Sequence, residues 1–198
     1  MNPRASALEH GRCGSFGRGP ARILTIKKIR SALSASSAAK HSYMHTVEHL
    51  RHLFQYNDWA NRRLIVALKG AESERARKIL AHLLVTENEY YERLYGKDST
   101  GFNFWPELSM EDCGKLARES AERFEKLLRR FDEEGLDYTS RYKTSEGVEH
   151  VNNYREMLTH VLFHSSIHRG SVILKLREDG FEPPQIDYII YLRETKYV

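Results

Sequence analysis

Cysteine is scarce in this chain: Cys13 and Cys113 are the two thiols among 198 residues. Two cysteines so far apart cannot build a disulfide framework, which excludes the small stapled secreted class and points to a reducing, cytoplasmic compartment. Cys113 has no nucleophile motif around it and reads as a partly exposed helix thiol. Long apolar runs are missing as well. No stretch approaches the roughly 18–20 residues that a membrane span needs, so no membrane contact is expected. With 40% hydrophobic residues, 29% charged residues and a mean hydropathy of −0.60, the composition fits one water-exposed globular domain.

The net charge of +4 is placed unevenly. Of the 31 Lys and Arg, eight fall in residues 1–41 (Arg4, Arg12, Arg18, Arg22, Lys27, Lys28, Arg30, Lys40), whereas of the 27 Asp and Glu only Glu9 does. Residues 42–198 therefore carry 23 basic and 26 acidic groups, a net of −3. That removes the reason to expect a nucleic-acid partner, which requires basic residues clustered on the folded part. Residues 1–43 are rich in Gly, Ser, Ala and Arg and hold no sustained apolar period, so they read as a disordered basic extension. A targeting segment, or a translation start set too far upstream, has the same composition. The expected domain is 44–198.

Helical periodicity begins at Thr46. Leu50, Phe54, Asn57, Asn61, Leu64 and Leu68 keep the three-and-four spacing of one face, and Gly70 stops it. A second helix is predicted over 72–95, with Ile79, Leu83, Thr86, Tyr90 and Leu94 on its stripe. Ser109, followed by Glu111 and Asp112, predicts the start of a third, which Leu116, Phe124, Leu127, Leu128 and Phe131 carry toward Gly135. Residues 138–142 and 148–154 alternate and are β-prone, which predicts a short hairpin. A fourth long helix is predicted over 155–178, then a short amphipathic piece over 186–192. The fold class is all-α: a four-helix bundle in which one connection is a long crossover, with the hairpin before the last long helix.

Histidine spacing carries the chemistry. His160, His164 and His168 follow one another at intervals of four, so neighbours lie on one helix face about 6 Å apart along the axis. Such a pair can share one ion, whereas His160 and His168, about 12 Å apart by the same rise, cannot easily do so. The helix thus supplies two ligands, 160/164 or 164/168. His164 and His168 share a stripe with Met157, Val161 and Val172, and core-facing imidazoles need partners for their ring nitrogens. A third ligand has to come from elsewhere: His82 on the second helix, or His45, His49 and His52 on the first. A zincin needs Glu directly after its first His, but Ser165 follows His164. A di-iron site needs paired Glu-x-x-His, and that spacing does not occur. What remains is one divalent ion on three nitrogens with an open position.

Q-Y-N-D-W-A-N at 55–61, A-H-L-L-V-T-E at 81–87, H-V-L-F-H-S-S-I-H-R-G at 160–170 and D-Y-I-I-Y-L-R-E at 187–194 resemble, in order, the pattern of the DinB-like (DinB/YfiT) family. That resemblance implies a four-helix bundle with a long crossover, often dimeric, and a zinc or nickel ion held by His82, His164 and His168. Ser171 departs from the glutamine common at its position in that family. Asn57 and Asn61 match the family's first helix and, with His160, are candidates to hydrogen-bond and orient the ligands. Glu87, about 140° around its helix from His82, is expected in a structural salt bridge, and Arg169 in an ion pair at the bundle surface. The function this implies is divalent-metal binding, extended to a thiol S-transferase, hydrolase or isomerase acting on a small thiol and an electrophile. The alternative is a non-catalytic metal-binding protein of the stress or DNA-damage response, working through a partner or as a homodimer.

Overall fold

Helix α1 covers Thr46–Lys69 and buries one stripe, running from Val47 and Leu50 through Phe54, Asn57 and Asn61 to Leu64 and Leu68. It belongs to a computed structural model that describes residues 46–196. The basic extension assigned to 1–43, its boundary at Met44, and His45 lie outside the described residues. After α1 the chain turns at Gly70 and enters α2, Glu74–Leu94, capped by the Ser73 hydroxyl, which accepts from the Ala76 amide at 3.4 Å. The same hydroxyl donates to Asp179 at 2.6 Å and pins the far end of the last long helix to this one.

Every residue of α2 from Leu80 to Glu89 is buried. A helix packed on one side cannot do that, and α2 packs against two neighbours, α3 (Met110–Leu128) and α4 (Tyr154–Glu178). Helix α1 also contacts both of those. Direction follows from the contacts. Asn88 donates to the Leu116 carbonyl and Arg123 pairs with Glu92, so α3 runs parallel to α2. Tyr154 donates to the Leu94 carbonyl whereas Asp179 meets Ser73, so α4 runs antiparallel to α2. Parallel neighbours cannot be joined by a tight turn. Residues 95–109 are therefore the long crossover, and the bundle is up-down-down-up.

The crossover leaves α2 at Gly96, whose φ of 82° suits glycine and where a Cβ would sit 3.2 Å from the Arg141 carbonyl. It bridges to the hairpin through Asp98 and Lys143 before running back along α2. The hairpin itself pairs β1 (Thr139–Lys143) with β2 (Glu149–Asn153), antiparallel, with Arg141 opposite Val151. Asn153 then caps α4 reciprocally with Glu156. The third helix is shorter than its apolar period suggests, ending at Leu128. Asp132, Glu133 and Glu134 crowd the negative end of its dipole, and the chain continues instead into a 3-10 turn at Glu134–Asp137 that buries Leu136. Helix α5, Tyr188–Lys196, lies on α1 through the Arg63–Glu194 pair at 2.7 Å. Cys113 is fully buried rather than partly exposed, and burial pushes its thiol up to about 11.

Two apolar clusters fill the bundle. One, around Leu64, Leu68, Leu80, Leu84 and Leu176, lies toward the α1–α2 turn. The other, around Phe54, Phe124, Leu128, Leu136 and Leu158, lies toward the hairpin, where Phe54 stacks on Phe124 with centroids 4.4 Å apart. Truncating any of the fully buried leucines to alanine costs about 2–5 kcal/mol. Polar side chains separate the clusters, and the histidines stand beside that layer.

Candidate metal centre

His82, on the third turn of α2, is 8% exposed and faces α4. Two turns of α4 carry His164 and His168 toward it. The ring centroids are 5.1 Å (82–164), 4.5 Å (82–168) and 4.3 Å (164–168) apart. Each ring offers one nitrogen to a common group whose members all lie within 4.8 Å of one another. Three imidazoles this close are strained unless they are neutral. Burial pushes all three below the usual histidine range, helped for His164 and His168 by neighbouring imidazoles, and His164 is pushed down to about 3. Neutral rings keep the lone pair that a metal ion needs.

The ring of His82 is fixed from behind. Its Nδ1 lies 2.8 Å from the Phe104 carbonyl, an oxygen that can only accept, so Nδ1 carries the proton and Nε2 is the free donor atom. Trp105 stacks flat on the same ring, 3.8 Å between centroids and 5° between planes. Both partners come from the crossover, so the long connection that sets the bundle topology also orients a site residue. His164 Nδ1 is buried and lacks a hydrogen-bond partner among the described residues. A buried imidazole nitrogen left unpaired is costly in a cluster that binds nothing and is accounted for in one that shares an ion. The residues thus fit a three-nitrogen divalent site.

The other histidines fall elsewhere. His160 is exposed, lies tilted against Tyr90 with ring centroids 4.5 Å apart, and stands 5.7 Å from His164 outside the three-nitrogen group. His49 lines a groove on the far side of α4, and His52 belongs to no cluster of possible ligands among the described residues.

A model of the DinB family matches residues 42–197. The chain belongs to the DinB family. Protein DinB of Bacillus subtilis (strain 168) is similar to it, 25% identical over 161 residues that cover 73% of this chain and 94% of that one. Among the described residues of this DinB-family chain, no helix is long and apolar enough to cross a membrane.

Asn57 and Asn61 do not reach the histidines as the sequence suggested. Their side-chain amides donate to Glu87 Oε1 at 2.6 and 3.0 Å, and their carbonyl oxygens accept from Arg169 Nη1. Glu87, 1% exposed, also accepts from Ser165 at 2.7 Å on Oε1 and from Ser120 at 2.7 Å on Oε2. It is the hub of a layer drawn from all four long helices, held by neutral donors instead of a direct salt bridge. Arg169 was expected outside and is 2% exposed. Residue 169 is rotated about 100° from His168, which turns it from α2 toward α1 rather than toward solvent. Trp105 and Phe104 also escaped the sequence reading. A Phe-x-Phe-Trp-Pro run inside a connection was their available signal, since loops seldom carry three aromatics without something to cover.

Proposed function

We propose that this DinB-family chain binds one divalent metal ion, zinc or nickel, through His82, His164 and His168, and uses it as a thiol S-transferase. The observation that carries the reading is the convergence of three neutral imidazoles from two helices, one with its tautomer fixed by the Phe104 carbonyl. An ion held by three nitrogens keeps a position for an exogenous ligand, and a divalent cation there lowers the pKa of a thiol so that a nucleophile exists at neutral pH. The chain's own contribution is positional. Trp105 and Phe104 hold His82, and the packing of α2 on α4 holds the other two rings against it.

The test is metal analysis of the purified chain, followed by an assay of thiol conjugation to a chromogenic electrophile across several cellular thiols. Bound metal at close to one per chain is expected, with most of it lost in His82→Ala, His164→Ala and His168→Ala and kept in His160→Ala. Retention of metal by His82→Ala refutes the ligand set. Metal without turnover leaves the second reading, a non-catalytic metal-binding protein acting as a homodimer in stress or DNA-damage response. That reading is favoured by one observation, the exposed apolar stripe Phe163, Ile167 and Leu174 along the outside of α4.

A further inference from the structure

Helix α4 serves two sites. On its side away from the histidines, α1, α4 and the start of α5 line a groove of about 530 Å3. At 100° per residue, Leu162, Ser166 and Arg169 stand roughly 140–160° around α4 from His164, so the groove and the imidazoles use opposite faces. Along its length the groove runs from Arg155 to Arg169, about 20 Å at 1.5 Å per residue. Leu50 and Leu53 form one wall, and Leu162 and Phe163 the other. Its charge is of one sign, since Arg155 and Arg169 line it and no carboxylate does.

Arg169 closes one end with its guanidinium over the Tyr56 ring, 5.4 Å from the centroid. Nη1 donates to Asn57 and Asn61 and the Tyr56 side chain is a further partner, which still leaves donors to spare on a guanidinium with five N–H groups. Among the described residues it forms no ion pair within 4 Å, and Glu87 balances its charge from behind the two asparagines without touching it. Arg155, at the opposite end, is already paired with Asp137. We infer that this groove binds a monocarboxylate with an extended apolar tail, such as a fatty acid, with the carboxylate on Arg169 and the tail between the leucine walls. One buried, under-used cation at the end of a long apolar slot matches one anionic head and one chain; a dianionic phosphate would leave half its charge without a donor group. The site stands independently of the metal reading.

Titration calorimetry of the full chain with decanoate, and with 1-decanol as the uncharged counterpart, tests this. Saturable 1:1 binding of decanoate is expected, with decanol weaker by at least about tenfold, since a charge-assisted contact is lost. Ser166→Trp, at an exposed helix position facing the groove, should weaken decanoate binding by at least about tenfold, and His164→Ala should leave it within about twofold. The inference is overturned by absence of saturable binding, by equal affinity for decanol, or by a Ser166→Trp variant that binds as the parent does. It is also overturned if sedimentation shows that Ser166→Trp breaks a dimer of the parent, which makes a second copy the occupant.

Discussion

Glutamine in place of Glu87 keeps the shape at the centre of the bundle and removes its negative charge. The parent carboxylate accepts three bonds on Oε1, from Asn57, Asn61 and Ser165, and a fourth on Oε2 from Ser120. An amide whose carbonyl takes the Oε1 place keeps three acceptor contacts as weaker neutral bonds, and Ser120 has to turn its hydroxyl to accept. The larger effect is on Arg169, left buried as a cation without a counter-charge. Removing one member of a buried pair costs about 3–5 kcal/mol. Arg169 reaches Glu87 only through the asparagines, so the lower end applies, about 3 kcal/mol. In a chain of this size that lowers the melting temperature by roughly 6–12 °C. Urea unfolding of the metal-free chain, followed by helical circular dichroism, reads it directly. Arg169→Met added to Glu87→Gln should recover at least half of the loss, because the layer is then neutral throughout. Metal content should not change, since the hub touches none of the three ligating rings. A Glu87→Gln protein within about 0.5 kcal/mol of its parent refutes the account, as does a double variant in which Arg169→Met adds a further loss.

Trp105→Ala removes the plate stacked on His82 and should weaken metal binding about tenfold in chelator competition, well short of His82→Ala; equal losses in the two variants would make the stack a ligand-level requirement and count against a positioning role. The pH dependence of the metal-free chain follows from the depressed histidines: unfolded imidazoles take up protons near 6.5 while the folded ones resist, His164 down to about 3. The unfolded state then binds more protons, so stability is fully present above about pH 6.5 and declines as pH falls toward about 3; urea midpoints should track this, His164→Phe should flatten the decline, and a parent that gains stability on acidification refutes it. Ser73→Ala loses both the α2 cap and the tie to Asp179 and should cost about 1–2 kcal/mol in the same unfolding assay, and an unchanged midpoint would show that neither contact matters.

What could be read from the sequence, and what could not, divides along a physical line. Elements announced themselves because periodicity, caps and turn residues are local: Ser109 with the acids that follow it at the start of α3, and Gly70 where α1 stops. His164 and His168 were legible for the same reason, because four residues on a helix fix a neighbour relation before any packing is known. The third ring was a choice among histidines, since which face of α2 meets α4 depends on the crossover. The polar layer was the least legible. Asn57, Asn61, Ser120, Ser165 and Arg169 each look ordinary along the chain, and they acquire their role from helices up to 112 positions apart.

Arg169 shows why. A reading that gives each helix one buried face sends the neighbour of an inward His168 to solvent. Helix α4 contacts α2 on one side and α1 on another, so it has two buried faces with a polar residue on each. The histidines look to α2 and the arginine to α1, and Ser165 between them takes the one bond that links α4 to Glu87 on the helix bearing His82. A substitution on one face can then reach the other only through that layer. Uncoupled effects of His164→Ala and Glu87→Gln on stability would therefore mean that the layer is a local packing solution rather than a link between the two faces of α4.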